Sequence, residues 1–420
     1  MATAFKSADI LLPQNTDMEK WAVVACDQYT SQPDYWYDVE KLTQNSKSAL
    51  ELILPEVFLE DKDVEQRIDK IHNNMKDYLD SCTFKEHKDS IIYIERIQSD
   101  GKMRAGIVGK LDLEDYSYQK GSKTPVRATE ATVVERIPPR IKVRCGAEIE
   151  LPHIMILIDD REKSVIEPLE QCKAEMESVY SFELMKNGGT ISGYKLTKAM
   201  QEQVFETLDK LADIDSFNEK YGLDESSPLV FAMGDGNHSL ATAKEFYEQL
   251  KRENPDKDLS NHPARYALVE IVNLHSPALE FEAIHRIVTD IDRNKLLDDL
   301  TDSLKLSEKK SEQKIQIVLD GVAKDMYIHA PSSKLTVGSL QNFIDGYLQK
   351  NDGKVDYIHG IDVINQLSMD KNSVGFILPD MGKEELFPTV ICDGALPRKT
   401  FSMGHAEDKR FYIEARKITE

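Results

Sequence analysis

The stretch LVFAMGDGNHS, residues Leu229–Ser239, passes from an apolar run into a glycine-rich polar turn. Apolar residues then recur through Leu240, Phe246 and Leu250 at the spacing of one helix face. The pattern predicts a strand, a turn and a helix in that order, with the helix running from Ser239 to about Leu250. This strand–turn–helix unit is the strongest local feature of the sequence.

The segments on both sides of the unit alternate between predicted strands and helices. Two strands flank the turn Ser99–Lys102, because its Asp-Gly pair suits a hairpin. The continuous apolar run Ile154–Ile158 predicts a buried strand, and Ile166–Val179 and Leu196–Leu211 predict amphipathic helices. The alternation has no regular βαβ rhythm, so we predict an α+β (mixed α/β) fold.

A charged stretch suggests where the chain divides. Glu308–Glu312 reads EKKSE and is the best linker candidate in the sequence. We therefore predict an N-terminal and central α/β region over residues 1–305, which carries the candidate active site. Residues 306–420 are predicted to form a smaller α+β region packed on it.

Charge and composition narrow the class of protein. Apolar residues other than glycine make up 40% of the 420 residues, and 53 Lys and Arg face 74 Asp and Glu, for a net charge of −21. A negative field of this size repels phosphate backbones and anionic lipids, so a general nucleic-acid or membrane binder is not expected. The five cysteines are widely spaced without a CxxC pair, which is typical of reduced thiols in a cytoplasmic protein.

The turn itself offers groups for binding an anion. Gly234 and Gly236 permit a tight turn, and the amides that open the following helix favour a phosphate. Asp235 is able to hold a metal ion or accept a proton, and His238 to donate to a phosphate or shuttle a proton. The alternative is a structural turn in which Asn237 or Ser239 caps the helix. From the pattern alone the two interpretations are about equally supported.

Three further polar groups lie elsewhere in the chain. Pro125–Arg140 combines several arginines, including Arg127, with Glu130, so it could bind an anion while Glu130 acts as a base. A solvated charged loop explains the same block. His285 and Arg286 lie within an apolar run and would point to opposite faces of a strand, which equally fits a structural pair. A third group, Arg398 and Lys399, places two cations after a turn.

Taken together, these blocks resemble a known bacterial family, the domain-of-unknown-function family 1015. The resemblance rests on five blocks in the same order, which are Ala22–Pro33, Arg127–Glu130, Gly234–Ser239, His285–Arg286 and Leu396–Phe401. It covers nearly the whole chain and implies kinship, whereas the family name carries no established activity.

A second resemblance implies a mechanism. An Asp-Gly-x-His-Arg sequence that opens a helix is similar to the nucleotide-binding box of the ParB/sulfiredoxin-like superfamily, which includes the free-serine kinases. The resemblance implies phosphate binding at the helix start, with Asp235 and His238 in matching positions. This chain has Ser239 where the box has arginine, so Arg286, Arg127 or Lys399 would have to supply the missing cation.

We therefore expect a phosphoryl-transfer enzyme acting on a small hydroxy amino acid, serine or phosphoserine, with ATP or ADP and substrate-bound Mg²⁺. The catalytic residues would be Asp235, His238 and Glu130. The remaining candidate residues, which would bind phosphate or substrate, are Gly234, Gly236, Asn237, Ser239, Arg127, His285, Arg286, Arg398 and Lys399. The alternatives are a nucleotide-binding ParB-like regulatory protein and a metal-assisted phosphatase. We also expect the Asp235 turn, the Arg127–Glu130 block and His285 to share one cleft.

Overall fold

The computed structural model of the protein describes residues 3–130, 137–225 and 227–420. Glu135 and Arg136, which belong to the polar block Pro125–Arg140, lie outside these residues. The helices are α1 Met18–Trp21, α2 Pro33–Thr43, α3 Val64–Asp80, α4 Ile137–Arg144, α5 Pro168–Gln171, α6 Lys198–Leu211, α7 Ile214–Tyr221, α8 Asn237–Glu253, α9 Arg293–Leu304, α10 Thr336–Leu348, α11 Ile361–Leu367 and α12 Lys383–Asp393.

The strands in chain order are β1 Phe5–Lys6, β2 Ala8–Pro13, β3 Val23–Val24, β4 Phe84–Ser90, β5 Ile92–Ile97, β6 Met103–Asp112, β7 Tyr116–Ser117, β8 Val126–Arg127, β9 Ile149–Glu150, β10 Met155–Ile158, β11 Glu177–Glu183, β12 Thr190–Lys195, β13 Phe231–Asp235, β14 Tyr266–Asn273, β15 Phe281–Ala283, β16 His285–Thr289, β17 Gln313–Leu319, β18 Val322–Ile328, β19 Lys354–Ile358, β20 Val374–Ile377, β21 Phe401–Met403, β22 Phe411–Tyr412 and β23 Arg416–Lys417. Helices and strands are thus mixed along the chain, which confirms the predicted α+β class.

The chain forms two compact units. The first comprises Met1–Ala128, Thr132–Leu279 and Gly404–Glu420, and the second comprises Thr129–Ala131 and Glu280–Met403. The predicted boundary between residues 305 and 306 falls inside the second unit, just after α9.

A mixed sheet forms the centre of the first unit, in the order β11-β12-β5-β6-β14-β10-β13-β8-β7, with β1 also paired to β6. β13 lies antiparallel to β10, where Asp235 pairs with Met155, and parallel to β8. Helix α8 follows β13 and packs Leu240, Ala243 and Tyr247 into the core of the unit. The end of β13 at Asp235 is therefore held by β10, whereas β8 pairs with its first two residues, Phe231 and Ala232.

One predicted helix of this unit is wrong. The residues that suggested a helix over Ile166–Val179 fold as the short helix α5, a 3₁₀ turn and the beginning of β11. β11 pairs along its length with β12 across a turn at Gly188 and Gly189. The aromatic and β-branched residues of β11 favour a strand, and its pairing with β12 outweighs the helical spacing.

The second unit contains a five-stranded antiparallel sheet in the order β18-β17-β20-β16-β19. Asp320 and Gly321 form the turn of the hairpin that joins β17 to β18. Thr129 and Glu130 belong to this unit, and the carbonyl of Thr129 accepts a hydrogen bond of 2.6 Å from the amide of Leu396. Glu130 is thereby fixed beside the segment that leads to Lys399.

Candidate functional site

The turn after β13 has a backbone that only glycine adopts without strain. Gly236 has a φ of +77°, and a Cβ there would lie 3.1 Å from the Cα of Ile154. Helix α8 begins at the next residue, and Leu240 donates its N–H to the carbonyl of Gly236 at 3.0 Å. The amides of residues 237–239 precede that hydrogen bond, so they face the start of the helix, where the helix dipole favours an anion.

Asp235 lies at the end of β13, beside a cation that sequence reasoning did not identify. Its carboxylate accepts the Gly236 amide at 2.9 Å and lies 3.2 Å from the ammonium of Lys409. Burial alone would raise the pKa of Asp235, but Lys409, His153 and the Gly236 amide outweigh burial and hold that pKa below its usual value. Asp235 is therefore ionised at neutral pH.

His153 links this turn to two other segments. It is buried, with 6% of its surface exposed. Its Nε2 lies 3.0 Å from the Ser239 hydroxyl, and its Nδ1 lies 2.7 Å from the hydroxyl of Tyr412. The carboxylate of Asp27 lies 3.8 Å from Nε2. The imidazole is thus held between a serine and a tyrosine, with the Asp27 carboxylate close to Nε2.

The Arg410 side chain fixes the backbone that presents these groups. Its Nε donates to the carbonyl of Pro152 at 3.2 Å, and its Nη2 donates to Glu414 at 2.7 Å. Nη1 pairs with the buried carboxylate of Glu270. The carbonyl of Arg410 accepts the Ala25 amide at 2.9 Å. One residue therefore ties together the segments that carry Lys409, His153 and Asp27.

A cavity of about 150 Å³ lies beside the first turn of α8. Its charged lining residues are paired, since Glu56 accepts Arg140 Nε at 2.8 Å and Glu150 accepts Arg144 at 2.6 Å. Much of the remaining wall is apolar, formed by residues such as Leu54, Met75, Val143, Ile149, Leu268 and Ile418. The polar groups that complete it belong to Cys26, His153, Ser239, Thr242 and Tyr412. The cavity therefore suits a small, mainly apolar moiety with one polar end.

Several predicted site residues lie together at this turn. Gly234, Asp235, Gly236, Asn237, His238 and Ser239 are consecutive at the junction of β13 and α8. The buried Oδ1 of Asn237 has no hydrogen-bond partner among the described residues. The carbonyl of His238 accepts the Thr242 hydroxyl at 2.7 Å.

Arg127 belongs to the first unit, but its side chain is engaged elsewhere. It lies on β8, paired with Ala232 of β13, and only 3% of it is exposed. Its guanidinium donates to the carbonyls of Thr124 at 2.7 Å and Ser227 at 3.0 Å. These contacts tie the loop before β8 to the chain before β13.

The other predicted residues form a cluster in the second unit. Glu130 is half-buried, and the amides of Lys399 and Thr400 hydrogen-bond to its carboxylate. Burial raises the pKa of Glu130, while Lys399, these amides and Arg286 partly offset that rise. A carboxylate with a raised pKa is a stronger proton acceptor than an ordinary one, which suits the predicted role of Glu130 as a base.

Arg286 is the buried cation of this cluster. It donates to Gln341 at 3.1 Å and to the carbonyls of Ile284 and Arg398, and it lies over the ring of Tyr357. Burial lowers its pKa to about 10. Its donors are therefore largely occupied by the protein.

His285, Arg398 and Lys399 each make different contacts from those of Arg286. His285 accepts the Leu378 amide at 3.3 Å through Nδ1, and Arg398 lies 3.6 Å from the exposed carboxylate of Asp345. Lys399 has a φ of +56°, a left-handed conformation that brings its amide to Glu130. These contacts join His285, Arg286, Arg398 and Lys399 within one unit.

Sequence reasoning did not identify His153, Lys409 and Tyr412 as site residues. None of them belongs to a motif. Each is brought to the turn by pairing between segments that are distant in sequence, such as the pairing of β22 with β3. The only local signal was that Pro152 and His153 immediately precede an apolar strand.

Two negative findings apply to the described residues. Within residues 3–130, 137–225 and 227–420, no group of three or more His, Cys, Asp or Glu side chains could hold a metal ion. No helix in the same ranges is long and apolar enough to cross a membrane.

Comparison with known proteins gives a family and several structural likenesses. A family model described as a protein of unknown function, DUF1015, matches residues 9–347. No curated protein matches the chain. Similar solved structures include a conserved hypothetical protein from Pyrococcus furiosus, at 11% identity and a TM-score of 0.36, covering 74% of this chain and 95% of that one.

Two other solved structures resemble the chain. A free serine kinase in complex with AMP has 9% identity and a TM-score of 0.38, with 74% of this chain and 91% of that chain covered. SbnI with a C-terminal truncation, from Staphylococcus aureus, has 9% identity and a TM-score of 0.35, with 73% and 82% covered. At such TM-scores these likenesses assign no function.

Proposed function

The chain belongs to the DUF1015 family, and we propose that it is a phosphoryl-transfer enzyme that uses an adenine nucleotide and a small hydroxy amino acid, serine or phosphoserine. The observation that carries the proposal is the β13–α8 turn, where helix amides, Asp235 and Lys409 meet beside a cavity. Phosphoryl transfer depends mainly on positioning and on neutralising charge, and this turn supplies groups for both.

Lys409 provides the cation that Ser239 cannot. A phosphate at the start of α8 would face the amides of residues 237–239, and the Lys409 ammonium lies next to the same turn, 3.2 Å from Asp235. This assignment replaces Arg127, whose guanidinium donates to two carbonyls. Arg286 and Lys399 belong to the second unit, where Arg286 donates to Gln341 and to two carbonyls.

The acidic groups suit a metal ion that arrives with the nucleotide. Mg²⁺ usually binds through one or two carboxylates together with substrate phosphates. Asp27 lies 3.8 Å from His153, and His153 also lowers the pKa of Asp235, so both partly exposed carboxylates lie near this imidazole. They would hold the ion, and its role would be to neutralise phosphate charge.

The cavity limits what part of a substrate can enter it. Sites for drug-sized ligands typically measure about 300–1,000 Å³, whereas this cavity holds about 150 Å³. It therefore takes one moiety, such as the acceptor or a ring of the nucleotide, with the phosphates at its polar end. Glu130, whose pKa is raised by burial, keeps its predicted role as a proton acceptor.

The test is direct. Purified protein is incubated with Mg²⁺ and either serine plus ATP or phosphoserine plus ADP, and the products are followed by phosphorus NMR. We expect transfer in at least one pair and none when the nucleotide is omitted. Release of inorganic phosphate without any nucleotide would instead favour the metal-assisted phosphatase. Salt-sensitive retention of DNA, without transfer, would favour the ParB-like regulator.

A further inference from the structure

Ser239 and His153 form a hydrogen-bonded pair at the wall of the cavity. The Ser239 hydroxyl lies 3.0 Å from His153 Nε2, and both residues line the cavity beside the first turn of α8. The proposed function uses Ser239 only as a phosphate contact. A hydroxyl within hydrogen-bond reach of an imidazole, which is in turn oriented by a third group, is the arrangement of an activated nucleophile.

Tyr412 is the third group, and it contacts the ring nitrogen of His153 other than the one beside Ser239. The Tyr412 oxygen accepts the Cys26 amide at 3.1 Å, and its hydroxyl also hydrogen-bonds to the Cys26 side chain. The Tyr412 hydroxyl and His153 Nδ1 lie 2.7 Å apart and share a hydrogen bond, which orients the imidazole. In the tautomer that carries its proton on Nδ1, Nε2 accepts the proton of Ser239.

Neighbouring groups are less suited to attack than Ser239. Burial, assisted by Asp27 and Glu56, raises the pKa of the Cys26 thiol far above its usual value, so the thiol stays protonated. Asp235 is engaged by Lys409 and the Gly236 amide. Ser239 lies in the first turn of α8, where helix amides can stabilise the oxygens of a bound phosphoryl group.

We infer that Ser239 is a covalent phosphoryl carrier, with His153 as its general base and acid; this inference rests on the proposed function. The Ser239 Oγ–P bond forms as the bond between the γ-phosphorus and the bridging oxygen of ATP breaks, and ADP leaves with that electron pair. The Ser239 proton passes to His153 Nε2. In the second step the acceptor hydroxyl attacks phosphorus, Ser239 Oγ leaves and regains its proton from His153, and the acceptor proton is released to solvent.

The experiment traps the intermediate. The full-length protein is incubated with ATP and Mg²⁺ without acceptor and quenched in denaturant, and its peptides are mapped by mass spectrometry. We expect one phosphoryl group on Ser239, which disappears when serine is added. Ser239→Ala should lose the label and His153→Gln should form it about 10²–10⁴-fold more slowly. Ser181→Ala, at an exposed position on β11, should behave as the parent.

A second variant guards against a folding defect. Ser239→Thr keeps a hydroxyl at the same position, so the phosphoryl group should appear on the substituted side chain. Nucleotide-dependent turnover that persists in Ser239→Ala, with no label in the parent, would overturn the carrier and leave the proposed function standing. Absence of both nucleotide binding and turnover would overturn both. Labelling of Ser239 by a fluorophosphonate without phosphorylation by ATP would assign the pair to acyl transfer and overturn the carrier.

Discussion

The ammonium of Lys409 lies 3.2 Å from the carboxylate of Asp235, and both side chains are largely shielded from solvent. The pair joins the end of a central strand to a segment near the C-terminus of the chain. It places the Lys409 ammonium beside the start of α8, where the uncharged Ser239 side chain provides no cation. Because the pair is partly buried, salt should screen it less than a surface ion pair.

We expect Lys409→Met to shift the acidic limb of the activity profile to higher pH. Lys409 lowers the pKa of Asp235, so its removal raises that pKa and Asp235 becomes protonated at a higher pH. The measurement is kcat/KM for phosphoryl transfer across the acidic range. Lys417→Met is the matched control, since Lys417 is an exposed lysine in the same C-terminal segment. An unshifted acidic limb in Lys409→Met would mean that Asp235 ionisation does not limit activity.

The half-buried carboxyl of Glu130 gives a prediction about stability. Its pKa in the folded protein is raised by burial, above about 4.3 in the unfolded chain. The parent should therefore lose stability as pH rises from the unfolded pKa through the folded pKa. Glu130→Gln removes this loss, so the variant should gain stability relative to the parent over that range.

Urea unfolding at a series of pH values measures the effect of Glu130→Gln. Glu282→Gln, at an exposed position on β15 of the same unit, is the control and should follow the parent. A Glu130→Gln variant whose free energy of unfolding runs parallel to that of the parent at every pH would contradict the raised pKa.

The cysteines should differ in reactivity. Cys82, Cys145 and Cys392 are exposed, whereas burial raises the pKa of Cys26. Because the thiolate is the reactive form, iodoacetamide should modify the exposed thiols of the native protein well before Cys26. Peptide mapping after brief alkylation checks this order, with urea-unfolded protein as the control in which all react. Early modification of Cys26 would show that its thiol is accessible and ionisable.

The central part of the fold could be predicted from local sequence. An apolar run ending in a glycine turn, followed by one apolar helix face, identified β13 and α8, because each signal lies within the element it predicts. The helix predicted over Ile166–Val179 was wrong, because β11 is stabilised by its pairing with β12. That pairing depends on residues outside the window in which periodicity is read.

The candidate site was only partly accessible to the same reasoning. Asp235 and Ser239 could be identified because they belong to one short motif. His153 and Lys409 could not, because they reach the turn through strand pairing and through the hydrogen bonds of Arg410. The predicted convergence of Glu130 with Asp235 in one cleft remains a prediction.

The function of the Asp235 turn is tested most directly by Asp235→Asn and His238→Ala, each compared with the parent by thermal melting and by nucleotide-dependent phosphoryl transfer. Asparagine suits the same turn, and the apolar face of α8 is untouched, so both melting temperatures should stay close to the parent. Asp235→Asn removes the charge while keeping the shape, and turnover should fall by about 10²–10⁴-fold. His238→Ala should also reduce turnover. Full phosphoryl-transfer activity in a normally folded Asp235→Asn protein would contradict the catalytic role of this turn.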